Sequence, residues 1–580
     1  VTITFNPPAV LLDCTAEIAL DADLSADPGT WSFTPITGYV RWRDGVTVTT
    51  GRPDEASRVD AGHTELTLDN RDGRFSRSNP LGAYFGQLSR NTPIRFSVDA
   101  GEGDYVLAEH YVNEWPIRWD KSQRDCTTPI KCSGVLHRLT QGTQPSWSPL
   151  RRTITAAQGT GLVAYWPLED GADSGQAASG LPGGDPMTVT GTVAFAEFSP
   201  DTSVGGTLAH GTANLPNFAG GGMLAGPVVE VSDTGEWTVS WFMDHAQAGT
   251  ETTAVMEWFT PGGTYVRWRY SMDFGGGTVI VQAFTALDVA ATVLATDGIP
   301  STFSRFTVTA AQNGADIDLV LTQGANIEDT NTLLAATVAP VVSVVANPAA
   351  DTTANSYVFG HIQVWDTANS PDLDGEETDA YGEGVERAWG SYRNEAATER
   401  IIRLCDEANV PLQIDTVPEE SVVRMGSQPI GTLVDLLREA EIVDGGVLYE
   451  VGFGLGYQSR SARENAAVAI DLDFESGHVA EPPEPTDDDQ RYRNQWEATR
   501  SGGSSYLAQD SALIDADGPY ADTVTVNVKL DSQLPDQAGW RLHLTSADEA
   551  RWPVIRINFA ARPTLITQWM AAGFGARVEI

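Results

Sequence analysis

Carboxylates offer the first candidate chemistry. Asp471, Asp473 and Glu475 stand two apart in DLDFE, and a retaining glycosidase needs two carboxylates about 5 Å apart. A strand reading E-x-D-x-x-E could supply them, but here the leading Glu is absent and the spacing is short. Asp69, Asn70, Asp72 and Gly73 have the composition of a calcium loop, yet the D-x-[DN]-x-[DN]-G register would begin at Leu68. We read a turn closing two strands there, with Asx side chains bonding the backbone and Gly supplying positive φ. Ser370, Asp372, Asp374 and Gly375 fit the register better, but its last position is Tyr381 where a bidentate Glu belongs. A solvated linker is the better reading. Glu169 and Asp170, just after YWP, are the carboxylates that could hold a calcium ion.

Flat apolar faces are the second resource. Sugars stack on exposed aromatic rings through their C–H groups, while carboxylates or amides bond the hydroxyls. Trp166, Trp237, Trp241, Trp258, Trp268 and Trp365 mostly alternate with polar residues inside strand-like runs, so inward packing is expected for most. An exposed exception is expected among Trp258, Tyr265, Trp268 and Tyr270, where aromatic and Arg residues alternate. No H-E-x-x-H, G-x-S-x-G or P-loop occurs, and the eight histidines are scattered. Cys14, Cys126, Cys132 and Cys405 lack zinc spacing and read as buried free thiols, with Cys126 and Cys132 in an apparent strand pair. No catalytic residue is assigned, and an enzyme is not expected.

The elements that would position these groups follow from composition and periodicity. With 580 residues, 78 Asp+Glu against 36 Lys+Arg and a net charge of −42, the chain repels phosphate backbones, so sequence-specific nucleic-acid binding is not expected. At roughly 150 residues per domain the length allows several domains. The first residues, VTITFNPPAVLLDC, lack the basic and apolar regions of a signal peptide, and no apolar run reaches the roughly 20 residues of a membrane span.

Residues 1–152 alternate in short strands. Residues 153–375 are small residues, Gly clusters and aromatic strands such as EWTVSWFMD and SYVFGHIQVWD, with almost no helical period. The acidic SPDLDGEETDAYGEGVE then reads as a linker, and helices are expected only beyond it. In residues 376–486, NEAATERIIRLCDEANV places Ala397, Ile401, Leu404, Cys405 and Ala408 on one face, with a Glu399–Arg403 pair. PIGTLVDLLREAEIV forms a second helix ending at Gly445-Gly446 and feeding a hairpin, GGVLYEVGFGLGYQSR. Residues 487–580 return to strands in NQWEATRSGG, DTVTVNVKL, WRLHLTS and PVIRINFA, and stop in a strand-like segment that suggests a domain cut short. The fold expected is mainly β and multidomain, with residues 153–375 inserted in a larger unit.

GYVRWRDGVTVTTGR (38–52), ELTLDNRDGRFSRSNPLGAYFGQLSRNTPIRFSV (65–98), CSGVLHRLTQG (132–142), GTLVDLLREAEIVDGGVLYE (431–450), DDDQRYRNQWEATRSGG (487–503) and AGWRLHLTSADEARWPVIRINFA (538–560) together resemble the tail-tip hub, or minor tail, proteins of actinobacterial siphophages. The block 153–375 resembles a laminin-G-like, concanavalin-type sandwich through GLVAYWPLEDG, EWTVSWFMD and SYVFGHIQVWD. The resemblance implies tail-tube-like β-barrel hub domains at 1–152 and 487–580, a small α+β section at 376–486 and the inserted β-sandwich. It implies a virion component at the tail tip, a homotrimer that meets the distal tail protein ring, the end of the tape-measure protein and other tip or fibre proteins. The sandwich would bind a host cell-surface glycan. No cofactor is required, with calcium in the sandwich as the implied option. Intersubunit contacts are expected from Leu433, Leu437 and Ile442, since these side chains can cover only one helix face. The alternative is a secreted carbohydrate-active enzyme or adhesin with a laminin-G-like module.

Overall fold

The computed structural model describes residues 13–52, 58–99, 104–122, 124–142, 145–156, 161–199, 211–229, 232–246, 252–299, 303–324, 326–350, 356–368, 387–388, 390–414, 423–482, 484–485, 489–500, 502–546, 555–557, 562, 564–572 and 574–580. The chain is mainly β and divides into two compact units. One comprises Val1–Pro145, Asn394–Gly426 and Gly431–Ile580, the other Ser146–Arg393 with Ser427–Ile430. The expected acidic linker and the calcium register at 370–381 lie outside the described residues. No described helix is long and apolar enough to cross a membrane.

In the first unit, alternation builds an antiparallel sheet in the order Phe33–Pro35, Asp13–Ala19, Thr92–Asp99, Asp104–Val112, Cys126–Ser133, Asp60–Asp69 and Thr47–Gly51. Asp60–Asp69 turns Leu66 and Leu68 inward to meet Ile18, Ile94, Phe96 and Ile130. The sheet curls: Val40 bridges Leu68, and the Arg41 N–H donates to the Thr67 carbonyl at 2.8 Å. Cys126 and Cys132 lie on one strand rather than on a strand pair, and all four cysteines are free thiols.

The turn at Asp72-Gly73 does not close two strands, because Asp60–Asp69 pairs with Cys126–Ser133 and Thr47–Gly51, not with Thr92–Asp99. It opens a loop instead. Gly73 has φ +73°. Buried Asn70 accepts the Phe75 N–H at 2.9 Å and donates to Ser76 Oγ at 2.9 Å. Phe75 then stacks on Trp115 at 5.9 Å, which pins the loop to the sheet.

Two helices, Val135–Thr140 and Pro149–Ala156, precede the acidic stretch, contrary to expectation. Each spans about two turns, too short to show a 3.6-residue period. Beyond the insertion, Ala397–Glu407 buries Ala397, Ile401, Leu404 and Cys405 as expected. Its ion pairs differ: Arg403 takes Glu407 at 2.6 Å and buried Glu395 at 2.8 Å. Glu399 instead accepts the Ala396 N–H at 2.8 Å and pairs with Arg424 at 3.2 Å. Leu433–Asp444 starts where Thr432 Oγ1 accepts the Asp435 N–H at 3.2 Å, and it ends at Gly445 with φ 77°. The hairpin Val447–Val451 and Gly454–Gln458 follows.

Residues 487–580 do not form a second barrel among the described residues. Gln495–Arg500, Ser505–Gln509 and Ala521–Val526 make a three-stranded sheet. WRLHLTS lies in the helix Leu534–Thr545, where Leu534, Gln537, Ala538 and Arg541 recur at three and four and are buried. That period overrides the alternation of Trp540, Leu542 and Leu544. Of PVIRINFA only 555–557 is described, with Ile557 bridged to Val479.

The parts before and after the insertion share one core, in which Tyr111, Val135 and Leu136 pack with Ile401, Leu437, Leu455 and Ala538. Glu450 fastens them. Its carboxylate accepts the Gly62 and Leu136 N–H groups, both at 2.6 Å, and Gly134 leaves room for it, since a Cβ there would strike the carboxylate. Burial pushes the Glu450 carboxyl above its ordinary value, against the pull of these two donors. Glu450→Ala leaves both buried N–H groups without an acceptor. It is expected to cost about 2–4 kcal/mol, read as a shift in the denaturation midpoint of the full chain. An unchanged midpoint would contradict this role.

The second unit is a sandwich of two eight-stranded sheets. It is wider than 153–375 because Leu150 and Ile154 of the helix Pro149–Ala156, together with Ala388 and Tyr392, pack against Leu162, Tyr165, Phe242 and Trp365. One sheet runs Gln176–Ala177, Met187–Thr190, Met223–Pro227, Ser343–Ala346, Thr252–Phe259, Arg267–Asp273, Thr278–Phe284, Ala290–Asp297. The other runs Ala194–Phe198, Leu215–Asn217, Ser356–Trp365, Glu236–Ala246, Ser304–Asn313, Asp316–Gln323, Asn326–Leu333, with Leu162–Trp166 also on Ser356–Trp365.

Candidate functional site

The strand pair Thr252–Phe259 and Arg267–Asp273 carries the aromatic and Arg alternation. Successive side chains on a strand face opposite sides, so one set must go inward. Trp258, Trp268 and Tyr270 are at most 2% exposed and sit in the sandwich core with Trp237 and Trp241. Tyr265 is half-buried and tilts on Trp268 at 5.6 Å. Of the expected sugar-stacking rings, Trp258, Trp268 and Tyr270 are therefore core residues, while Tyr265 packs against that core and stays partly exposed. Trp237 meets Trp258 edge-on at 5.6 Å and Trp268 at 5.2 Å, a packing that leaves none of these faces for a ligand.

The outward set is polar. Glu257, opposite Arg269 and one register step from Arg267, accepts from Arg269 Nε at 2.6 Å and lies 3.8 Å from Arg267. Arg267 also pairs with Asp288. Both guanidinium groups lie over the Phe284 ring, at 4.1 and 5.0 Å from its centroid. Gln282 stands beside Arg269 in the register. The partly exposed guanidiniums and the Gln282 amide can bond sugar hydroxyls, and the guanidiniums can bond a carboxylate bidentately, while Glu257, only 7% exposed, is held by the two arginines and orients them. These residues were not singled out from sequence, although the same alternation that buries the aromatics marks Arg267 and Arg269 as outward.

Glu169 and Asp170 each accept hydrogen bonds from protein donors. Glu169 Oε1 accepts from Thr212 Oγ1 at 3.0 Å and from the Ala213 N–H at 2.9 Å, and its other oxygen lies 3.9 Å from Arg151. Asp170 accepts the Ala178 N–H at 3.1 Å, and burial pushes its carboxyl up. Each carboxylate is spent on protein donors. Among the described residues no group of three or more His, Cys, Asp or Glu side chains could hold a metal.

Glu169 belongs to a buried chain of hydrogen bonds. Thr212 Oγ1 donates to Glu169, so it accepts from His361 Nε2–H at 2.7 Å, and His361 Nδ1 then accepts the Tyr165 O–H at 2.7 Å. His361 has φ +51°, and the strand pairing with Glu236–Ala246 shifts register at this point. That is a β-bulge holding the ring inward. Burial, with Arg151 nearby, lowers its pKa to about 3. Because the folded value lies below the ordinary 6.5, the neutral imidazole's contribution is complete above about pH 6.5. It is lost as pH falls toward 3, by up to about 5 kcal/mol. We expect the melting temperature of the sandwich to fall through this window, and to fall less in His361→Gln. Equal slopes in wild type and variant would contradict it.

Of the expected assembly residues, one is buried and two are partly exposed. Leu437 is fully buried, and Leu433 and Ile442 pack against the same core of the first unit, because the helix Leu433–Asp444 lies against Ala397–Glu407 and the helix Val135–Thr140. Asp471, Asp473 and Glu475 form no acid pair: Asp473 caps a turn by accepting the Glu475 N–H at 2.9 Å and the Ser476 N–H at 3.3 Å.

No protein-family model matches the chain, and no curated protein does. Among solved structures it is similar to Trypanosoma rangeli sialidase with sialic acid, at 8% identity and TM-score 0.26, covering 56% of this chain and 51% of that one. It is also similar to the receptor-binding domain of botulinum neurotoxin type G, at 9% identity and TM-score 0.25, covering 52% and 66%. A third is the binding domain of botulinum neurotoxin DC in complex with SialylT, at 8% identity and TM-score 0.25, covering 36% and 48%. The chain spans about half the length of the first structures it matches. Likeness at these TM-scores carries no functional argument.

Proposed function

We propose that this chain is a structural tail-tip hub of a siphophage-type particle, with a sandwich that engages a host-surface glycan. The observation that supports the reading is the layout of the chain. Residues 146–393 form a compact sandwich inserted in sequence, while the parts before and after it build one shared core around Tyr111, Leu437 and Leu455. A binding module can be added or exchanged at such a place without interrupting the platform's core. In this reading the first unit associates as a trimer and meets the distal tail ring and the end of the tape-measure protein. The outward Arg267, Arg269 and Gln282 of the sandwich meet sugar hydroxyl and carboxylate groups. The reading involves no chemical step and no cofactor. The −42 charge suits a channel wall past which DNA must move without adhering. The test is peptide mass spectrometry of gradient-purified particles from the source lysate. Peptides of this chain banding with tailed particles, at a few copies against the major tail protein, are expected. The chain remaining wholly in the free protein fraction would overturn the reading and favour a secreted carbohydrate-active enzyme or adhesin.

A further inference from the structure

Two features of the first unit are left unpaired among the described residues, and they are complementary. One is a cleft of about 470 Å³ whose lining includes Val106, Leu107, Glu109, Leu412 and Val451. Its first wall is the strand Asp104–Val112, which pairs along its length with Thr92–Asp99 but meets Cys126–Ser133 only at Tyr111 and Val112. Among the described residues, 104–110 therefore has no strand on that side. Leu412–Ile414, on the other wall, is the edge of its own sheet and among the described residues pairs only with Gly454–Gln458. Unpaired strand edges are templates for another strand. Val106 is 52% exposed beside this edge, and Val451 is 37% exposed.

The other feature is the strand Ser505–Gln509, SYLAQ, at the edge of its three-stranded sheet and, among the described residues, paired only with Gln495–Arg500. It carries no charge and is mostly exposed. Ala508 packs toward the shared core, so Leu507, on the opposite face, is turned away from it and is 52% exposed. A neutral, exposed edge of this kind is an aggregation hazard unless something covers it. The cleft matches it in charge as well, since its carboxylate, Glu109, is taken by Arg95 at 2.6 Å.

We propose that Ser505–Gln509 of a second copy of this chain adds edge to edge onto 104–110, seating Leu507 against Val106, Leu412 and Val451. Donor and acceptor are different surfaces of one chain, so the contact repeats head to tail and closes into a ring when the rotation allows. The number of copies in the ring, three, rests on the hub reading. A five-residue strand spans about 17 Å, enough to cover Val106 to Glu109.

Native mass spectrometry of the full chain tests this with Val106→Lys, Leu507→Lys and the double variant Val106→Lys/Leu507→Glu. Both positions are exposed, and circular dichroism checks that the fold is kept. The expected result is a trimer for wild type, a dissociation constant raised about tenfold or more by each single change, and recovery in the double variant, where opposite charges meet. A wild-type trimer unaffected by either single change overturns this interface and leaves the hub reading standing. Single changes that weaken the trimer without recovery in the double variant overturn the Val106–Leu507 pairing. A wild type that stays monomeric at every concentration overturns the interface and the trimeric hub together.

Discussion

Trp258→Ala is expected to unfold the sandwich, at a cost of about 3–5 kcal/mol. The side chain is fully buried. It meets Trp237 edge-on at 5.6 Å and lies parallel to Trp268 at 6.4 Å, so truncation removes contacts on several sides and leaves a cavity that the two sheets cannot both close. Guanidinium denaturation of the full chain, followed by tryptophan fluorescence, should show the sandwich transition moved to much lower denaturant. If the transition stays in place and only sugar binding is lost, Trp258 is a ligand platform and its assignment to the core is wrong.

Glu395→Ala is expected to be equally damaging to the first unit. The Glu395 carboxylate is almost fully buried and receives Arg400 Nε at 3.0 Å and Arg403 Nε at 2.8 Å. Burial alone would push this carboxyl up, but the hydrogen bonds and charges of Arg403 and Arg400 hold it below the usual range. Removing it leaves the fully buried Arg400 facing Glu439 at the longer distance of 3.7 Å. Breaking a buried pair from one side costs about 3–5 kcal/mol, whereas replacing the whole group by apolar side chains costs far less. The triple variant Glu395→Leu/Arg400→Met/Glu439→Leu should therefore lie closer to wild type than Glu395→Ala. The reverse order would contradict the account. Because the folded pKa is depressed, the pair's contribution is present above the ordinary carboxylate pKa and is lost as the pH falls below it.

Local signals predicted local structure well. Gly445 marks the end of Leu433–Asp444, and alternation marks the strands of the sandwich. Alternation alone, however, says which residues share a face and not which face is covered. The aromatic set of Arg267–Asp273 was read as the possible ligand surface, while the Arg set faces out. In WRLHLTS the two periods compete, and the residues that decide, Leu534 and Ala538, lie upstream of the segment. Glu450 had no legible signal, because its partners are 388 and 314 residues away in sequence. The same holds for His361 and Glu169, which meet through Thr212 only after the sheets have paired. Leu437 reads as part of a free face because the helices that cover it lie elsewhere in the chain.

The most direct measurement of the central claim is immunogold labelling of particles in the source lysate, with antibodies raised against residues 153–375 and read by negative-stain microscopy. The account predicts gold at one end of each tail. Tails without gold, with the antigen free in the medium, would contradict it.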